Sequence, residues 1–174
     1  MRIRHQFVLI VLALSLAPVA QADREHQLKA AFIFNFAKYI QWPQGLGDAN
    51  APFVIGVYGT DTYGDELDNA LRGKLIAGHP IEVEGIGSDS SVRNCRIVVT
   101  GANSEDRIAQ LQRLCRTSGT VLIGEAPDFA RMGGTVGFTI DSGKIRFDVN
   151  LVSARANNLV ISSKMLSLAR LVVR

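Results

Sequence analysis

The 174-residue chain has two cysteines, Cys95 and Cys115, and their placement predicts a covalent link. Cys95 opens a predicted strand, Cys95-Arg-Ile-Val-Val-Thr100, and Cys115 closes the predicted helix that follows it. In a strand–helix–strand unit the start of the strand and the end of the helix lie at one edge of the sheet. The two thiols can therefore approach, and in an oxidising compartment an even pair is expected to form a disulfide. Closing a loop of roughly 20 residues contributes about 3 kcal/mol, chiefly by constraining the unfolded chain. Neither cysteine belongs to a Cys-x-x-Cys motif or neighbours a histidine, the settings that lower a thiol pKa for redox or nucleophilic work. Two thiols are also too few for a four-thiolate zinc site.

The run Gly56-Val-Tyr-Gly59-Thr-Asp-Thr-Tyr-Gly64 follows a strand and opens a helix, the place where backbone N–H groups cradle phosphates. Its spacing matches neither Gly-x-Gly-x-x-Gly nor the Walker pattern, so it reads first as a capped turn. Gly59, Thr60, Asp61 and Thr62 nonetheless form the mouth where a small anionic ligand would sit, because open α/β sheets bind ligands beyond the C-terminal ends of their strands. Beyond residue 22 the histidines are His26 and His79, without metal-ligand spacing, and no Gly-x-Ser-x-Gly elbow occurs. Asp61, Glu125, Asp128 and Asp148 are scattered carboxylates of the kind used in caps, turns and ion pairs. No catalytic constellation, metal site or cofactor is expected. A hydrolase would need a nucleophile and a base that these residues do not supply.

The elements that would position these groups follow from hydrophobic spacing. Arg2, Arg4 and His5 precede an apolar run from Phe7 to Ala17, Pro18 breaks it, and Ala20-Gln21-Ala22 supplies small residues for a signal peptidase. This is the pattern of a cleaved secretory signal over residues 1–22, too short to cross a hydrocarbon layer of ~30 Å. The remainder, residues 23–174, is expected to be one exported domain. The segment holds two of the 19 basic residues and none of the 16 acidic ones, so the net charge falls from +3 to +1 without it. The hint of nucleic-acid binding goes with that charge. Leu28, Ala31, Phe32, Asn35, Phe36, Tyr39 and Ile40 mark a helix over 24–41, ended by Trp42-Pro43 and apolar around much of its girth. Strands are predicted at 53–58, 81–86, 95–100 and 120–124. Helices are predicted at 63–74 and, after the Ser104 cap, at 104–115. A hairpin is expected from 134–140 and 144–149 around a three-residue loop, Asp141-Ser142-Gly143. In its second arm Ile145, Phe147 and Val149 face one way, while Lys144, Arg146 and Asp148 face outward. Short helices are expected near 151–157 and after Ser162, the last carrying Met165, Leu166, Leu168, Ala169 and Val172. The rhythm gives an α/β single-domain sandwich with a largely parallel sheet, helices on both faces and a C-terminal antiparallel hairpin.

Lys29-Ala-Ala-Phe-Ile-Phe-Asn-Phe-Ala-Lys38 followed by Trp42-Pro43 resembles the opening signature of the YfiR family of periplasmic proteins. The likeness continues through Ile55-Gly-Val57, Gly133-Gly134 before Phe138, Ile145-Arg-Phe-Asp-Val-Asn-Leu151, and Ile161-Ser-Ser163 with Leu166, Leu168 and Ala169. Asp148 stands where the family pattern has Glu. The resemblance implies a non-enzymatic periplasmic repressor that binds the sensor domain of a membrane diguanylate cyclase similar to YfiN and lowers cyclic-di-GMP synthesis and biofilm output. It also implies a homodimer and an outer-membrane lipoprotein partner similar to YfiB. The partner-binding surface it points to is Phe138, Ile145, Phe147, Asp148, Asn150 and Leu151. The other reading is a periplasmic small-ligand sensor module, using Gly59–Thr62 and coupled to another membrane receptor.

Overall fold

Runs of β-branched and large apolar residues make the centre of the sheet. Phe53–Tyr58 (β2), Ile97–Thr100 (β5) and Val121–Gly124 (β6) are almost wholly buried, as strands covered on both faces must be. The computed structural model describes residues 17–42, 48, 51–59 and 63–174. The remaining elements are Ala17–Tyr39 (α1), Ile40–Gln41 (β1), Tyr63–Leu71 (α2), Leu75–Ile76 (β3), His79–Ile86 (β4) and Glu105–Ser118 (α3). They continue with Val136–Asp141 (β7), Lys144–Asn150 (β8), Leu151–Ala156 (α4), Val160–Ile161 (β9), Ser163–Leu168 (α5) and Leu171–Val173 (β10). The main sheet has the order β10-β8-β7-β6-β5-β2-β4-β3. All neighbours are parallel except the hairpins β7–β8 and β3–β4. β1 and β9 form a separate antiparallel pair.

Alternation along each strand divides the core in two. Ile55, Val57, Ile97, Val99, Val121 and Ile123 face the layer that holds α1 and α2. Val98 and Leu122 face α3 and the 3-10 turn Ser91–Asn94, where Ile108, Leu111 and Cys115 pack. This is the predicted α/β sandwich with helices on both faces and a mostly parallel sheet. Glycines on the α3 side make room for neighbours: the Phe129 ring lies flat over Gly124 and Gly134. A Cβ at either would come within 2.2 or 2.0 Å of it.

Several boundaries differ from those read off the sequence. The segment expected as a signal, residues 1–22, lies outside the described residues as far as Leu16; Ala17–Ala22 form the first turns of α1. α1 stops at Tyr39, since Ile40-Gln41 pair with β9. α2 stops at Leu71, where Gly73 just beyond takes a left-handed φ of 74°, and the chain then turns through a tight hairpin at Ala77-Gly78, both with positive φ. His79, expected in a loop, therefore opens β4; it is buried, with Nδ1 2.8 Å from the Ala51 carbonyl oxygen. The β7–β8 loop has two residues, not three: Asp141 pairs with Lys144, and Ser142-Gly143 take φ of 51° and 72°. Val172 belongs to β10 rather than to the last helix, which ends at Leu168.

The Phe129 slot makes a direct test of this packing. Gly124→Ala is expected to lower stability by about 3 kcal/mol through overpacking, and Phe129→Leu in the same chain to restore part of the loss. Urea unfolding of the three proteins measures both.

A candidate binding groove between the first helix and the hairpin

The spacing of Ala30, Ile33, Phe36, Ala37 and Ile40 gives α1 one buried stripe, with Phe32 and Phe34 on its flanks. That stripe sits on the hairpin. Phe36 meets Phe147 edge-on at 4.8 Å between centroids and Phe138 at 5.9 Å, while Phe32 reaches the same two rings at 5.7 and 6.1 Å. Toward the N-terminal end of α1 the two elements part. There a cavity of about 260 Å³ is lined by Glu25, Lys29, Glu125, Phe138, Ile140 and Ile145, among others. It adjoins a larger hollow of about 590 Å³ that adds Arg24, Leu28 and Lys144. Leu28 and Ile140 are exposed on the two rims, Ile140 at 64 %.

At the floor lies a buried cation. The Lys29 side chain is 6 % exposed, and its Nζ is 2.6 Å from both Glu25 Oε1, one helical turn away, and Glu125 Oε2, on the segment after β6. Burial alone would lower its pKa. The hydrogen bonds and charges of Glu125 and Glu25 outweigh burial and hold it above the ordinary lysine value, so the ammonium stays charged. The groove thus combines apolar rims with three cations, Arg24, Lys29 and Lys144, and two carboxylates, Glu25 and Glu125. That lining suits an apolar side chain flanked by polar groups.

The structure distributes the six residues expected to touch a partner differently. Phe138 and Phe147 are core residues under α1. Asn150 is buried; its Oδ1 accepts from the Ser153 amide at the start of α4, and its Nδ2 donates to the Ala130 carbonyl at 2.6 Å. Asp148 corrects the outward assignment: it is 5 % exposed and takes Arg170 in two hydrogen bonds, one from Nε at 2.9 Å and one from Nη2. The alternation was read correctly, and Lys144 and Arg146 are exposed, but Arg170, just before the strand that pairs beside β8, closes over the Asp148 carboxylate. Ile145 and Leu151 remain partly exposed, and Ile145 alone of the six borders both hollows with an accessible side chain. Glu125 was read only as one of the scattered carboxylates, and Lys29 and Ile140 were given no site role. The Glu25–Lys29 spacing was the one readable signal for them.

The other expected sites are resolved in part. Thr60, Asp61 and Thr62 lie outside the described residues. Gly59, with φ of +102°, borders a hollow of about 270 Å³ beside Asp65 and Asp68. Cys95 and Cys115 are both buried in the α3-side core, with no disulfide between them in this structure. The Cys95 Sγ is packed against Gly56 of β2 and donates to the Ser91 carbonyl at 3.4 Å. Burial pushes the Cys95 thiol up to about 11, with Glu84 adding to it. Burial and the neighbouring Cys95 push Cys115 up to about 12.

A family model described as YfiR/HmsC-like matches residues 26–170. No curated protein matches in sequence. A solved conserved domain protein from Vibrio cholerae O1 biovar eltor strain N16961 is 11 % identical, with a TM-score of 0.53 over 82 % of this chain and 59 % of its own. An ABC domain in complex with L-Trp from Streptococcus pneumonia is also 11 % identical, with a TM-score of 0.46 over 69 % of this chain and 55 % of its own. The chain thus spans 55 to 59 % of the length of these solved structures. The first likeness shows a shared fold. Among the described residues no helix is long and apolar enough to cross a membrane.

Two measurements check the site. Lys29→Met is expected to cost about 1–2 kcal/mol near neutral pH, less than a fully buried pair because both carboxylates reach solvent. The raised pKa places the Lys29 contribution below the lysine range and removes it as pH climbs through that raised value. Parent and variant unfolding curves should therefore converge there. Native protein at pH 8 is expected to react with a hydrophilic thiol reagent at least about 100-fold more slowly than the unfolded chain, whose thiols have pKa about 8.5.

Proposed function

We propose, since this chain belongs to the YfiR/HmsC-like family, that it is an exported periplasmic regulator which binds the sensor domain of an inner-membrane diguanylate cyclase and holds down cyclic-di-GMP synthesis. The observation that carries this reading is the family match over residues 26–170, which takes in the hairpin wall of the groove and α1 from His26 onward. The secretory pattern of residues 1–22 supports export, and removal of that segment leaves the domain from residue 23. The role is regulatory, not enzymatic. The family likeness also supports a homodimer and a lipoprotein partner similar to YfiB that competes for the regulator.

The groove supplies a physical route to binding. A partner's apolar side chain entering between Leu28 and Ile140 removes both rims from water, at about 25 cal/mol per Å² of apolar surface. Lys29 and its two carboxylates below then offer charged partners for flanking polar groups. Complementary shape at such an anchor decides affinity more than total area does.

The test is a pull-down and titration with the periplasmic domain of a YfiN-like membrane diguanylate cyclase from the same cell. Ile140→Arg, at an exposed position, is expected to leave the melting temperature within a degree or two and to weaken binding by about tenfold or more. Unchanged binding would remove the groove from the interface. Failure of the unmodified protein to bind would remove the cyclase as its target.

A further inference from the structure

The C-terminal half of α1 gathers positive charge around aromatic rings. Ala31, Asn35 and Lys38 lie on its exposed face, with Phe34 and Tyr39 half-exposed on either flank. The Lys38 ammonium stands 5.3 Å from the centroid of the Phe34 ring, and Lys74, just before β3, stands 5.7 Å from the same centroid. On the other flank Lys164 of α5 lies 5.0 Å from the Tyr39 centroid and donates a hydrogen bond to its hydroxyl. All three lysines are exposed. Two rings of one helix thus collect ammonium groups from three separate parts of the chain.

These cations have no counter-charge. None of the three makes an ion pair among the described residues. The sequence holds no Asp or Glu from Gln27 to Gln41, around Lys38, or from Leu151 to Arg174, around Lys164. On the helix before Lys74, Asp68 is already taken by Arg72 at 2.6 Å. Lys164 and then Lys38 draw the Tyr39 pKa below the ordinary tyrosine value, with no carboxylate among the groups that act on it. Like charges held together without a partner raise the local potential, and an anion from outside relieves it. The three hollows described above are lined by other residues, so this patch is a surface and not a pocket.

We propose that this face of α1 docks on a bilayer surface that contains anionic phospholipids, with Lys38, Lys74 and Lys164 on the phosphates and Phe34 and Tyr39 at headgroup level. A lysine lays its apolar stem along such a boundary and keeps its charge in the wet layer, while an aromatic ring with a polar tip favours the boundary itself. Val160, exposed on the β1–β9 ribbon that continues α1, adds apolar surface at the same end. A second copy of the chain does not suit this face. Antiparallel packing of α1 on its twin about Ala31 sets Arg24 against Lys38, and parallel packing sets each lysine against itself. A soluble acidic protein would match the charge but leave the rings without a role. The surface stands apart from the groove, which opens at the other end of α1.

The experiment floats the protein, purified without detergent, with vesicles of phosphatidylcholine alone or of phosphatidylcholine mixed with phosphatidylglycerol. Soluble polyglutamate is the lipid-free comparison. The expected result is tighter binding to the anionic vesicles, weakening as salt rises. Lys38→Gln, Lys74→Gln and Lys164→Gln should lower that binding about fivefold for each lysine removed, while the melting temperature holds. Arg113→Gln with Arg116→Gln, exposed on α3 across the sheet, should leave it unchanged. Equal binding to both vesicles, no response to the lysine substitutions, an equal loss from the α3 pair, or polyglutamate bound as tightly as the anionic vesicles would overturn the proposal.

Discussion

Four phenylalanine rings hold this molecule in the shape that matters. Phe32 and Phe36 come from the first helix, Phe138 and Phe147 from opposite arms of a hairpin more than a hundred residues later, and all lie within 6.1 Å of a partner centroid. Aromatic contacts of this geometry add about 0.5–1.5 kcal/mol each beyond the area they bury. Their position counts for more than their sum. The contact fixes the angle at which α1 leaves the sheet, and so the opening between its first turns and the hairpin. The groove is the uncovered continuation of a covered interface.

Two buried charges sit at either side of that interface, and each is matched. Lys29 is neutralised by carboxylates from two elements, and Asp148 is held by a planar guanidinium in a two-bond fork. Removing one member of such a pair leaves a charge with poor solvation, which is why buried ions are rarely found alone. Lys29 ties α1 to the segment after β6, and Asp148 ties β8 to the C-terminal strand. Both pairs therefore connect elements distant in sequence, and both specify register: a slip of β8 by one residue would put Asp148 among the phenylalanines.

The layers were legible in the sequence wherever local pattern and tertiary environment agreed. Val54 to Val57, Val98 and Val99, and Leu122 and Ile123 are buried from both sides, so an apolar run was enough to place a strand. The α1 stripe showed at three- and four-residue spacing. Failures arose where a distant element supplied the deciding contact. Asp148 alternates like an exposed residue and is buried because β10 pairs beside its strand and Arg170 closes on its carboxylate. Ser142, which tolerates positive φ next to a glycine, shortened the hairpin loop by a residue. Cys95 and Cys115 share a core, as topology required, with no disulfide between them in this structure. The groove draws on residues 24–29, 125 and 138–145, and no window along the chain contains it.

β8 serves two contacts at once. Ile145 lines the groove, while Asp148, three positions on, takes Arg170 and anchors β10 beside it. Side chains of a strand alternate, so these two lie on opposite faces of the sheet. Phe147, between them, points into the aromatic cluster and locks that backbone in place. The groove wall is therefore held from behind: a change at Phe147 or Asp148 would shift the backbone that carries Ile145, whereas a change at Ile140, exposed on the rim, alters the groove without touching that support.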